Sequence, residues 1–292
     1  MTIIQDFKLQ YHTGGISQKI IFWNIGLFLL SLLINVLLIF INSDFDCKDL
    51  ISLSSNPANL LWKPWSIITY AFFHAGFLHI LSNMLMLNFA GRLFQTLFSE
   101  KQFIGLYLSS AIFAGLVYLI CYIIFPSLRM FSTTMVGASG AVMAILIAIT
   151  TQSPLMQVRL FLFGNVKLWH IAAVLLVIDL AQLPLENTGG HLAHLGGAFF
   201  GFLFVKQLQN GRDIGIVVTM IINFFTNLFS KKSNKPFKKI YRNNDSTATN
   251  VANRLSKNIS QRQIDDILDK IGKSGYESLS TDEKQFLFKF GK

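Results

Sequence analysis

Three short polar motifs stand in one setting. His79-Ile80-Leu81-Ser82-Asn83, Gly137-Ala138-Ser139-Gly140 and Ala193-His194-Leu195-Gly196-Gly197 each open an apolar segment at its N-terminal end. Polar side chains at one depth in a bilayer are costly and mark a functional site by default. The residue types suit acyl transfer. Ser139 offers a hydroxyl nucleophile, and a neutral His194 imidazole can take its proton and later deliver it to a leaving amine. His79 and Asn83 lie four residues apart, on one face of a helix. Both can donate hydrogen bonds, as can the Ser139 backbone amide, and three such donors would make an oxyanion hole. The chemistry suggested is peptide-bond cleavage within the membrane.

Each motif also has a plainer reading. A serine between small residues is a common packing motif of membrane helices, and a lone histidine there can make an interhelical hydrogen bond. The nucleophile is not in a Gly-x-Ser-x-Gly elbow, and no strand precedes it. Two small-residue faces favour catalysis: Gly140, Ala144 and Ala148 on one segment, Gly197 and Gly201 on another. Faces of this kind permit close helix contact and would bring the His194 ring to the Ser139 hydroxyl. Four of the six histidines, His74, His79, His191 and His194, fall at the same end of the spans, so a metal-binding cluster is the alternative. No carboxylate or cysteine joins them in the motifs, and no His-Glu-x-x-His is present, so neither metal nor cofactor is expected. Asp179 is the sole acid within the spans. It is expected to be a solvated or helix-end residue, leaving a Ser-His dyad.

The elements that must position these residues are membrane helices. The 292 residues are 52% hydrophobic and 14% charged, with a mean hydropathy of +0.49. Soluble domains carry about 25% charged residues. Six spans are expected, at residues 20–41, 77–98, 103–125, 139–151, 168–183 and 191–205. The first is an uninterrupted charge-free run, too long for a signal peptide and without a small-residue cleavage site after it. The fold class expected is therefore an all-α polytopic membrane bundle, residues 20–207, after an N-terminal segment, 1–19. Lys8, Lys19, Arg92, Lys101, Arg159, Lys167, Lys206 and Arg212 flank one side, and only Lys48, Lys63 and Arg129 the other. By the positive-inside rule both termini would be cytoplasmic and the motifs would open outward, in a cell (plasma or inner) membrane. Cys47 and Cys121 would both lie near the outer surface, where a bridge and two separate apolar thiols are both compatible with the sequence.

The net charge of +10 is mostly a tail property, because 16 of the 25 Lys and Arg lie from Lys206 onward. This predicts attraction to anionic lipid rather than to nucleic acid. Residues 208–230 read as an amphipathic interfacial helix, with apolar positions at Val217, Met220, Ile221, Phe224, Phe225, Leu228 and Phe229 and a polar stripe at Thr219, Asn223, Thr226 and Asn227. Residues 231–259 read as a basic flexible linker. Residues 260–292 read as a small helical hairpin, with Ile264, Ile267, Leu268 and Ile271 on one face and a Ser280/Glu283 capping box opening its second helix. Some thirty residues bury too little to stand alone, so the hairpin either docks, on the membrane domain or on a second copy, or is a marginally folded tail.

The stretch from Trp65 through His74, His79 and Asn83 to Met84 resembles the first-loop and second-helix signature of rhomboid intramembrane serine proteases. Gly137-Ala138-Ser139-Gly140 resembles the family's nucleophile motif, and His191-Leu192-Ala193-His194-Leu195-Gly196-Gly197 with Gly201 its final-helix motif. The resemblance covers about residues 18–207 and implies a six-helix bundle with a water-filled depression over the site. By position it implies Ser139 as nucleophile, His194 as general base, and His79, Asn83 and the Ser139 amide as oxyanion donors. It also implies a partly membrane-dipped loop at 42–67, a fifth helix gating entry, and single-pass membrane proteins as substrates, with no oligomeric state attached. Gln95 stands where a glutamate is common and Ser66 where an arginine is common. A catalytically silent, rhomboid-like binder of membrane proteins is the second reading. A transporter is disfavoured by the lack of an inverted repeat and of charge buried mid-span.

Overall fold

A capping box fixes where the third span begins. The Ser99 hydroxyl accepts from the Gln102 backbone N–H at 3.3 Å, and the Gln102 side chain accepts from the Ser99 N–H at 2.9 Å. Thr2 and Gln5 make the same arrangement at the head of the first helix. Elsewhere the apolar runs, free of proline, simply continue as helix until a loop interrupts them. The computed structural model describes residues 2–41, 45–130, 132–160, 164–185, 187–229 and 263–290. The chain forms two compact units, Met1–Ser230 and Lys231–Lys292.

In the first unit the elements run α1 Ile3–Thr13, α2 Ile16–Phe40, α3 Cys47–Ile51, β1 Leu53–Ser54, α4 Ala58–Trp62 and α5 Ser66–Thr69, then a 3-10 turn at Tyr70–Phe72. They continue with α6 Phe77–Leu97, α7 Glu100–Ile124, α8 Pro126–Arg129, β2 Thr134–Met135 and α9 Ser139–Gln152. A hairpin of β3 Gln157–Leu160 and β4 Gly164–Lys167 leads to α10 Leu168–Gln182, α11 Thr188–Gln209 and α12 Ile216–Phe229. The six expected spans are α2, α6, α7, α9, α10 and α11. Among the described residues α2, α6 and α7 are long and apolar enough to cross a membrane by themselves. This is a polytopic helical membrane fold.

The core sits around α9, in which every residue from Gly140 to Ile149 is buried. α11 packs on α9 and α7, α6 on α9, and α2 on α6, while α10 leans on α11 and α9. The 14 residues of α9 cover about 21 Å, less than the ~30 Å hydrocarbon thickness, so a helix this short starts or ends inside the bilayer. Ser139 is its first residue. The first loop is tied to the chain before Ser139 by the β1–β2 pair, Leu53 opposite Met135 and Ser54 opposite Thr134. Trp65 Nε1–H donates to the Leu50 carbonyl at 2.8 Å, anchoring that loop without the arginine common at position 66, where Ser66 is buried. Gln95 donates to the Ser17 hydroxyl at 2.6 Å and so joins α6 to α2.

Several local elements were not expected: α1, whose partner is α2 through Phe7 and Tyr11 against Phe22, the short helices α3, α4, α5 and α8, the β1–β2 pair and the β3–β4 hairpin. α12 falls within the expected 208–230 segment and exposes Ile216, Val217, Met220, Ile221 and Phe224. Its entry is close-packed, with Gly215 backbone against Gly105 of α7. Residues 231–259, read as the linker, lie outside the described residues. Cys47 and Cys121 are free thiols. In the second unit a helix at 263–274, here α13, precedes α14 Thr281–Phe290. Among its described residues Ile267 and Leu279 are the buried apolar ones. Ser280 caps α14: its N–H donates to Glu283 and its hydroxyl accepts from the Glu283 N–H. That backbone bond and the Lys270 ammonium at 3.0 Å hold the Glu283 carboxyl below the usual carboxylate range.

Candidate active site

Ser139 enters the site through the way its loop is held. The Gly137 N–H donates to the Tyr70 carbonyl at 2.9 Å, and the Tyr70 hydroxyl donates to the Ala111 carbonyl at 2.7 Å. Gly137 itself has φ +132°, a conformation that a side chain strongly disfavours. A Cβ placed there would also lie 2.8 Å from Cε1 and Nε2 of His79. Glycine at 137 therefore serves two ends: it turns the chain into α9 and leaves room for the His79 ring beside Ser139. Upstream, Thr133 is held by the Tyr118 hydroxyl and by Ser55, whose hydroxyl accepts from the Thr133 N–H.

His194 lies on α11 with Nε2 2.6 Å from the Ser139 hydroxyl. The approach is permitted by the two small-residue faces. A Cβ built on Gly197 would run into the Gly140 carbonyl oxygen, and one on Gly201 into that of Ala144. Gly140 in turn faces the Ala114 methyl and the Ala193 carbonyl.

His79 and Asn83 line the same cavity from α6. The Ala75 N–H donates to His79 Nδ1 at 3.4 Å, which leaves the ring proton on Nε2, the nitrogen facing Gly137. One Asn83 amide hydrogen is used on the His79 carbonyl at 2.8 Å; the other has no acceptor among the described residues. As the first residue of α9, Ser139 has a backbone N–H with no intrahelical acceptor. The cavity has a volume of about 660 Å³ and is bounded by α6, the 134–137 segment, α9, α10 and α11.

One residue departs from expectation. Asp179 is buried rather than solvated, with Oδ1 2.8 Å from Nδ1 of both His191 and His194. The four-histidine metal cluster does not form as drawn either. His74 is buried edge-on against His79, and it is Asp179 that joins His191 and His194, with donor atoms within 4.8 Å of one another. A carboxylate thus does join the histidines, but each contact is already a hydrogen bond. The signal available in the sequence was the spacing of His191 and His194, three apart on one helix face, with an acid one turn before the end of the preceding helix.

The family model described as "Rhomboid domain" matches residues 61–210, and a family of unknown function, DUF6576, matches 253–292. The chain is similar to the presenilin-associated rhomboid-like protein, mitochondrial, of Rattus norvegicus, 29% identical over 165 residues, and of Homo sapiens, 29% over 161. In both cases 52% of this chain aligns with 40% of the relative. It is also similar to rhomboid protein 1, mitochondrial, of Saccharomyces cerevisiae, 32% identical over 143 residues, covering 48% of this chain and 40% of that protein. The matched stretch thus spans well under half of these relatives. Their names correct one expectation. A plasma or inner cell membrane location does not stand, because these relatives are mitochondrial and point to a mitochondrial membrane; the cytoplasmic assignment of the termini falls with it. The matches support an intramembrane-protease type of function in general terms. Matched by that model over just over half of its 292 residues, the chain belongs to the rhomboid family.

Proposed function

We propose that the chain is a serine endopeptidase that cuts membrane-protein segments inside the bilayer. The observation that carries this reading is the 2.6 Å contact between the Ser139 hydroxyl and His194 Nε2 at the head of a cavity open to a substrate. His194 takes the hydroxyl proton as Ser139 Oγ bonds to the scissile carbonyl carbon. The negative oxygen is met by His79 Nε2–H, the second Asn83 amide hydrogen and the Ser139 N–H. Collapse expels the amine, which receives the proton from His194. Water then hydrolyses the acyl-enzyme with the same histidine as base.

The test is cleavage of a single-pass model substrate in proteoliposomes by the native chain and by Ser139→Ala, with and without a chelator. Chelator-resistant cleavage that is lost in the variant supports the reading. Cleavage that persists in Ser139→Ala overturns it, and no cleavage by either chain across several substrates moves the weight to a silent binder. Within this scheme Asn83→Ala should lower kcat by about 10²-fold or more, the scale of one oxyanion donor, with KM little changed. A rise in KM alone would assign Asn83 to substrate binding instead.

The basic tail supports a second contact, with anionic lipid. Lys231, Lys232, Lys238 and Lys239 lie outside the described residues, but their charge density is a sequence fact. Replacing the four with glutamine in the full chain should weaken its salt-dependent association with vesicles of anionic lipid. Unchanged association at low salt would remove lipid from the list of partners.

A further inference from the structure

Asp179 is an ionisable residue only 5% exposed in a helix that offers it to two histidines at once. A carboxylate at that position is costly unless it is hydrogen-bonded; among the described residues Oδ2 is buried without a partner, so Oδ1 carries the whole of that bonding. It is used twice: Oδ1 lies 2.8 Å from Nδ1 of His191 and 2.8 Å from Nδ1 of His194. An ionised carboxylate only accepts, so each Nδ1 carries a hydrogen and each neutral ring keeps its lone pair on Nε2. For His194 that lone pair faces the Ser139 hydroxyl. The two rings stand edge to face, 85° apart with centroids at 5.7 Å, so one oxygen can receive both N–H groups without the rings colliding.

Resting on the serine-protease reading above, we infer that Asp179 and His191 form a bracket that holds His194 in the one tautomer able to accept the Ser139 proton. Asp179 is a positioning residue for the base. His191 is the second donor that fixes where the carboxylate points. Three helices therefore contribute: Ser139 from α9 and His194 from α11 do the chemistry, and Asp179 from α10 positions the base. Throughout the cycle the travelling proton uses His194 Nε2 alone. It arrives from Ser139 Oγ, leaves to the amine, is replaced from the attacking water and returns to Ser139 Oγ. The Nδ1 hydrogen stays on the ring and Asp179 stays ionised, stabilising the transient imidazolium. His191 alone could have been a packing histidine, and Asp179 alone a helix-end acid. The meeting of both Nδ1–H groups on one Asp179 oxygen, behind the nucleophile-facing nitrogen of His194, is what gives them a joint role.

The experiment uses the full chain in proteoliposomes with the single-pass substrate, reading kcat and KM separately. Labelling of Ser139 by a fluorophosphonate and NMR of isotope-labelled histidine nitrogens are read alongside. Asp179→Asn should lower kcat by about 10²–10⁴-fold with KM nearly unchanged, because the amide no longer imposes one tautomer. It should slow fluorophosphonate labelling in parallel and shift one histidine from the Nδ1–H to the Nε2–H nitrogen signature. His191→Leu, which removes a donor and keeps bulk, should lower kcat about tenfold, the scale of an outer hydrogen bond. His191→Asn, which restores an N–H donor, should recover most of that loss. A structural role would move the melting temperature of both His191 variants without that recovery.

The inference is overturned if Asp179→Asn keeps native kcat and labelling, or if His191→Leu and His191→Asn lose equally. It is also overturned if the nitrogen spectrum of the native chain shows His194 protonated on Nε2. Ser139→Ala in the same assay separates the two levels of argument. Activity remaining in Ser139→Ala defeats the serine mechanism itself, whereas a dead Ser139→Ala beside an indifferent Asp179→Asn defeats only the bracket.

Discussion

His194→Ala should lower kcat/KM as far as Ser139→Ala does, by about 10⁶-fold, and the double replacement should cost no more than either alone. The expectation follows from the 2.6 Å contact, through which, on the proposed mechanism, the two groups act as one nucleophile. A hydroxyl without a base is almost unreactive toward an amide, and an imidazole without the hydroxyl has no oxygen to activate. What survives each loss is the same remainder: the cavity that orients the peptide and the donors at His79, Asn83 and the Ser139 amide. Such a remainder is worth about 10³-fold or more over the uncatalysed reaction, so a faint residual activity should be equal in all three variants. Single-turnover rates in proteoliposomes would check this. Effects that multiply in the double variant would mean that the serine and histidine act independently, and the proposed proton transfer between them would fail.

How far this arrangement could be read beforehand depended on the kind of signal each part leaves in the sequence. The spans are legible because burial in lipid demands long apolar runs, and α6, α9 and α11 begin at or within a few residues of their motifs because the polar residues sit where the apolar run opens. Ser139, His194, His79 and Asn83 lie on the helices expected of them, around one cavity. Several local elements escaped, α1 and the β3–β4 hairpin among them. The β3–β4 hairpin has only four residues a strand, Gln157–Leu160 and Gly164–Lys167, and its alternation at Val158 and Val166 is too short to stand out between spans. α1 is announced only by the Thr2/Gln5 capping box, weak beside the hydropathy of α2. Asp179 was missed for a different reason. A residue one turn from a helix end can meet water or a neighbouring helix, and hydropathy does not distinguish them. The choice is made by tertiary packing, in which the start of α11 brings two N–H donors to the depth of the carboxylate.

The close contact of α11 with α9 should make Gly201→Ala destructive although the position carries no chemistry. Alanine normally favours a helix over glycine by about 1 kcal/mol, so on propensity alone the change should stabilise. At Gly201 the added methyl would strike the Ala144 carbonyl oxygen, with the Ala144 carbonyl carbon and Cα also at 2.9 Å. These are backbone atoms, which no rotamer change can move aside, so the helices must separate. Overpacking of this kind costs about 1–3 kcal/mol, enough to reverse the propensity gain. Separation also carries His194 away from Ser139, and a misplacement of ~1 Å can cost about 10²-fold in rate. Gly201→Ala should therefore lose both thermal stability and most cleavage, and Gly197→Ala, which meets the Gly140 backbone, should lose at least as much. Gly26 in α2 supplies the control, because a Cβ there meets nothing within 4 Å. Gly26→Ala should keep native activity and melt no lower than the native chain. Thermal unfolding in detergent together with cleavage in proteoliposomes checks all three. A Gly201→Ala chain as stable and active as native would show that α9 and α11 have slack between them, and the hydrogen bond between His194 and Ser139 would then need another cause than helix contact.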